Sequence, residues 1–134
     1  MTSQRRIVTG VDFVSLPTSY FPDALHFYSE VLGLQCTARY TRERGGEFET
    51  GNLTLQLLNS EALGVSLDRS THPVALHVED VDEARSELEG RGVVFHGETL
   101  DTGVCRMAFF GDPDGNALVL HHRYAPRRSQ SGGF

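Results

Sequence analysis

A strand pattern, an amphipathic helix and three more strand patterns run along the first half of the chain, and the same order runs along the second. Ile7 to Leu16 is apolar and β-branched. Ser19 to Leu32 follows with Phe21, Ala24, Leu25, Tyr28, Val31 and Leu32 at helical spacing. Pro22 suits a first turn and Gly33 a helix stop. Gln35 to Tyr40, Glu47 to Thr50 and Leu53 to Leu58 read as strands, the last two joined by a Gly51-Asn52 turn. The second run is Pro73 to Val78, a helix over Val81 to Glu89, then strands over Val93 to Leu100, Val104 to Phe110 and Ala117 to His122. The dense turn GDPDGN at 111–116 precedes the last strand. This order predicts an α+β fold: two βαβββ modules forming a curved mixed sheet around a cleft, with the helices outside. The expected layout is one domain over 1–134, with module one at about 7–58, a linker at 59–72, module two at about 73–122 and a flexible tail at 123–134.

At 134 residues the chain is long enough to bury a core without a disulfide or metal staple. Its 12 basic residues against 18 acidic ones leave a net charge of −6, which argues against nucleic acid as a partner. Every basic residue is Arg. Without Lys there is no Schiff-base, pyridoxal-phosphate or phosphate-loop lysine chemistry. Cys36 and Cys105 form no CxxC pair and read as two reduced thiols. No signal peptide or membrane-spanning stretch is read, so the expected location is cytoplasmic, with no membrane partner.

Three stretches carry a resemblance: ALHFYSEVLGL at 24–34, VALHVEDVDEA at 74–84 and FGDPDGN at 110–116. In order and spacing over Ile7 to His122, the chain resembles the vicinal oxygen chelate superfamily. That superfamily contains glyoxalases, bleomycin-resistance proteins and extradiol dioxygenases. The resemblance implies the two-module fold, a homodimer and a small-molecule ligand. For the family's enzymes it also implies a divalent metal held from both modules. The corresponding positions here are Phe13, Gln56, Pro73 (with His72 one residue early) and Val119. Phe, Pro and Val offer no donor atom, so the metal site of the enzymes is not expected and no cofactor is assigned.

Strand alternation extends this reading. If Phe13, Pro73 and Val119 face the cleft, Ser15, Ala75, His77, Ala117 and His121 do too, and the family pattern turns Cys105, Met107 and Phe109 the same way. The candidate ligand-binding residues are therefore Phe13, Ser15, Gln56, His77, Met107, Phe109 and His121. Such an apolar lining with a few polar groups suits a small-molecule pocket. The first expectation is a metal-free protein that sequesters an aromatic or amphipathic ligand, with antibiotic binding of the bleomycin-resistance type as the nearest pattern. Two alternatives stay open. One is a lyase, isomerase or dioxygenase with displaced ligands drawn from His77, His121, Gln56 and Glu47, or a metal-free isomerase with a histidine acid/base. The other is an interaction module without a ligand. Asp112 and Asp114 are expected to shape their turn, and the acidic residues around Val81 to favour the helix start.

Overall fold

The computed structural model describes residues 5–64 and 66–126. Eight strands form two four-stranded sheets. In the first, β1 (Phe13–Thr18), β4 (Thr54–Asn59), β3 (Gly45–Glu49) and β2 (Gln35–Arg39) lie side by side in that order. In the second the order is β5 (Val74–His77), β8 (Ala117–Arg123), β7 (Cys105–Gly111) and β6 (His96–Asp101). Each first strand runs parallel to the last strand of its module, and the other pairings are antiparallel. The expected α+β fold of two βαβββ modules is the observed one, and neither sheet closes into a barrel.

Helix α1 (Phe21–Leu25) starts with Pro22 in its first turn and continues as a π-helical segment over His26–Val31. The wider turn is visible in the Leu32 amide, which donates to the Phe27 carbonyl five residues back at 2.9 Å. Gly33, at φ 79°, ends the segment in the left-handed region that favours glycine. Helix α2 (Val81–Gly90) is capped by Asp80, whose carboxylate accepts from the Glu83 amide at 3.0 Å.

The sheets do not pack against each other directly. Alternation turns Leu16, Leu55 and Leu57 of the first sheet, and Ala108, Phe110, Leu118 and Leu120 of the second, onto the helix side. There they join Phe21, Phe27, Tyr28, Val81 and Leu88 in one core shared by both modules. Phe27 meets Phe110 across the module boundary with ring centres 6.4 Å apart. Arg91, just past α2, donates to the Val31 carbonyl at 2.7 Å, so a cation from module two satisfies the C-terminal end of module one's helix.

Two strands start three or more residues from the sequence expectation, and β3 starts at Gly45 where the pattern gave Glu47. Strand one begins at Phe13 rather than Ile7 and runs to Thr18. β4 supplies six pairing residues, matched one for one by Phe13 to Thr18, and residues 7–12 form no ladder. Ile7, Val8 and Val11 stay exposed at 85, 73 and 68%. Pro17 is tolerated because β1 is an edge strand, where a missing N–H breaks no ladder. Strand six begins at His96 rather than Val93; Val93 and Phe95 are buried in the core without joining a ladder. Of the expected flexible tail, Arg123 is the last residue of β8, and residues 127–134 lie outside the described residues.

Candidate functional site

The sheet faces opposite the helices carry the residues that the sequence marked. On the first sheet, Phe13 and Ser15 of β1 sit beside Thr54 and Gln56 of β4, and Gln56 pairs with Glu47 of β3. Phe13 is 51% exposed. A polar knot stands next to it. The Tyr40 hydroxyl donates to Glu47 Oε2 at 2.5 Å and accepts from Gln56 Nε2 at 2.9 Å. Burial, and then the bond to Glu47, raise the Tyr40 pKa above the ordinary phenol value, so the hydroxyl keeps its proton. Tyr40 was not among the sequence candidates, because it stands at the end of a strand beside a run of charged residues that reads as a solvated turn.

On the second sheet, Ala75 pairs with Val119 and His77 with His121. Met107 pairs with His121, and Phe109 with Val119. Cys105, Met107 and Val119 are buried together, with Phe109 packed against them. This apolar centre is flanked by imidazoles. His77 Nε2 donates to Glu79 Oε2 at 2.8 Å, and His122 Nδ1 donates to the Val78 carbonyl at 3.1 Å. The His77 and His122 rings lie 5.8 Å apart.

The seven candidates thus fall into two groups on separate sheets: Phe13, Ser15 and Gln56 on one, His77, Met107, Phe109 and His121 on the other. A cavity of about 710 Å³ between α1 and module two is lined by Phe109 from this set, and one of about 540 Å³ between the modules by His77. Neither cavity brings the two groups together.

The four positions matching the metal site of the superfamily's enzymes do not fit a metal. Phe13 is hydrocarbon, the Pro73 ring has no donor, and Val119 is buried beside Cys105 and Met107. Gln56 alone offers a ligand atom, its amide oxygen, and one neutral donor does not hold a divalent ion.

A buried polar network stands between the modules. Asp112 Oδ2 accepts from the Tyr28 hydroxyl at 2.7 Å and from Asn116 Nδ2 at 2.8 Å. Its Oδ1 accepts from the backbone amides of Asp114 and Asn116 at 3.0 and 2.8 Å. Asn116 also reaches the Pro17 carbonyl at 2.8 Å, and Asp114 accepts from the Ser19 amide at 2.9 Å. Asp112 shapes the turn as expected and ties it to Tyr28 of the π-helical segment, Asp114 ties it to Ser19 just past β1, and Asn116 ties it to β1 itself. Burial raises the Asp112 pKa, partly offset by donors from Asn116 and Tyr28.

The sequence model of the Glyoxalase/Bleomycin resistance protein/Dioxygenase superfamily matches residues 10–120. The chain belongs to this superfamily. The fold is similar to that of TnmS3, an antibiotic binding protein from Streptomyces sp. CB03234, at 26% identity over 89% of this chain and 99% of that one, with a TM-score of 0.74. It is also similar to a glyoxalase/bleomycin resistance protein from the same Streptomyces strain, at 27% identity over 84% of this chain and 100% of the other, with a TM-score of 0.69. Lactoylglutathione lyase from Agrobacterium tumefaciens shares the fold, with a TM-score of 0.73 over 87% of this chain and 95% of that one, at 17% identity. Comparison with curated proteins by sequence gave no match. Among the described residues no helix is long and apolar enough to cross a membrane.

Proposed function

We propose that this chain binds an aromatic or amphipathic small molecule and holds it without bond chemistry, as a metal-independent sequestering protein. The observation that carries this reading is the composition of the two sheet faces. One presents Phe13 beside the Ser15, Gln56 and Tyr40 polar groups. On the other, the partly buried Phe109 packs against the buried Met107 and Val119 and is flanked by His77 and His121. An apolar floor with a few directing hydrogen-bonding groups is what a planar ligand needs. The absence of donor side chains at Phe13, Pro73 and Val119 supports binding over metal-assisted catalysis. The similarity to an antibiotic binding protein supports a natural-product ligand.

Phe13 stands exposed on the module-one face, and neither cavity joins the two faces. A ligand is enclosed when a second copy lays its module two over module one of the first. The working unit is therefore a homodimer with ligand sites between chains. The test is a thermal-shift screen of the chain against polycyclic aromatic antibiotics and aromatic metabolites, followed by calorimetry on any compound that raises the melting temperature. Saturable binding with an unchanged ligand recovered afterwards is the expected result. Turnover of the bound compound by the chain overturns the reading.

A further inference from the structure

At the far end of β5 and β8 three metal-ligating side chains meet. His77 closes β5, Glu79 follows two residues on, and His122 comes from β8. The Val78 amide donates to the His121 carbonyl at 3.1 Å, which holds the chain leaving β5 against β8. One ligand atom from each of His77, Glu79 and His122 lies within 4.8 Å of the other two. We propose that these three residues form a binding site for a zinc-class divalent cation.

The tautomers suit this role. A carbonyl only accepts, so His122 Nδ1 carries the proton it gives to Val78, and Nε2 is left with its lone pair. Ligating histidines in metal sites are commonly held in this way, with the second ring nitrogen bonded to a backbone carbonyl. His77 Nε2 and Glu79 Oε2 share a proton at 2.8 Å, the position a cation takes when it displaces that proton. Donors around a tetrahedral ion with bonds of 2.0–2.1 Å lie about 3.3 Å apart, so binding opens the His77–Glu79 pair from 2.8 Å and draws His122 in from within 4.8 Å. The side chains of His77 and Glu79 are 68 and 86% exposed, and can rotate into place without disturbing the core.

Two imidazoles and one carboxylate select zinc, nickel or copper over magnesium or calcium, which prefer all-oxygen shells. Three protein donors leave the fourth position to water or to an outside donor. The local field helps. Glu79, Asp80 and Glu83 crowd the start of α2, whereas Asp82 is already paired with Arg106 at 2.8 Å. This site is separate from the superfamily's metal positions at Phe13, Gln56, Pro73 and Val119. It does not depend on the ligand-binding reading, although His77 is common to both.

The test uses the whole chain stripped with a chelator, then titrated with Zn²⁺ and Ni²⁺ in competition with a chromogenic chelator. One ion per chain is expected. His77→Ala and His122→Ala should each weaken binding by about tenfold or more, and Glu79→Gln should weaken it less. His26→Ala, at an exposed histidine of the π-helical segment outside the cluster, should leave it unchanged. Mg²⁺ should not compete. Failure of the wild-type chain to hold Zn²⁺ against the chelator overturns the proposal. Zn²⁺ binding that survives in both His77→Ala and His122→Ala also overturns it, because the ion is then held elsewhere.

Discussion

The Tyr28 hydroxyl donates to Oδ2 of Asp112 at 2.7 Å, joining a helix of module one to the turn before the last strand of module two. Both residues are buried, so neither group has water to fall back on. The bond explains why FY at 27–28 and DPDGN at 112–116 belong together in one chain. The aromatic residue is chosen for its hydroxyl as well as its ring, and the aspartate for both its oxygens.

Tyr28→Phe keeps the ring and removes the donor. Asp112 Oδ2 is then left with Asn116 Nδ2 alone. A lost hydrogen bond to a buried charged group costs about 1.5–3 kcal/mol. Urea unfolding of the variant should show a loss in that range with an unchanged m-value. A loss near zero would mean that Tyr28 contributes through packing only.

Asp112 also predicts a pH dependence. Its native pKa is raised above the ordinary 3.8, chiefly by burial. The folded state therefore holds this proton more tightly than the unfolded chain does. The stabilisation from protonating Asp112 is complete below 3.8 and is lost as pH rises through the raised native value. Asp112→Asn removes this titration. The stability difference, wild type minus variant, should fall as pH rises through that window. Chemical denaturation of both proteins across the acidic range checks it, and a flat difference would show that Asp112 titrates alike in both states.

Asp80→Ala should cost about 1 kcal/mol, because the Glu83 amide loses its cap acceptor and water replaces it only in part. Amide exchange in the first turn of α2 should quicken while the rest of the chain is unaffected. Uniform quickening would instead point to a global role for Asp80.

Gly45 and Gly46 open β3 where two backbones crowd. A Cβ on Gly45, at φ 151°, would stand 2.1 Å from the Leu57 carbonyl oxygen. On Gly46 it would stand 2.6 Å from the Ala38 oxygen and 2.7 Å from the Phe21 ring. Gly46→Ala should cost about 1–3 kcal/mol, as overpacking does, and Gly45→Ala more, since its contact is closer, at 2.1 against 2.6 Å, and its φ of 151° is strained for any L side chain. Thermal unfolding of the two variants ranks them, and the reverse order would be inconsistent with these contacts.

Much of this architecture is legible in the residue pattern, and the exceptions have physical causes. Phe21, Ala24, Tyr28 and Val31 announce their helix by spacing, but the π-helical widening after Leu25 leaves no trace in an apolar period. Ile7 to Val11 look like a strand because they are β-branched, and only the six-residue length of β4 decides that they pair with nothing. Alternation does not show that His122 comes beside His77, with the two ring centres 5.8 Å apart. The Tyr40 hydroxyl between Glu47 and Gln56 depends on where a turn delivers a ring, which no period encodes.

The proposed inter-chain site makes the most demanding prediction. Phe13 and Phe109 belong to different modules, on different sheets. Phe13→Asp should spoil every site by placing a charge against the ligand, and Phe109→Asp should do the same from the other side. In a mixed dimer, one site combines both altered modules and the other combines the two unaltered ones. Mixing the two inactive variants should therefore restore ligand binding, with one working site in each mixed dimer. Were the site built within a single chain, every chain in the mixture would still carry a defect, and no binding would return. Calorimetry on the mixture, with a ligand found in the thermal-shift screen, separates the two arrangements. Recovery requires that the module-one face of one chain meet the module-two face of another.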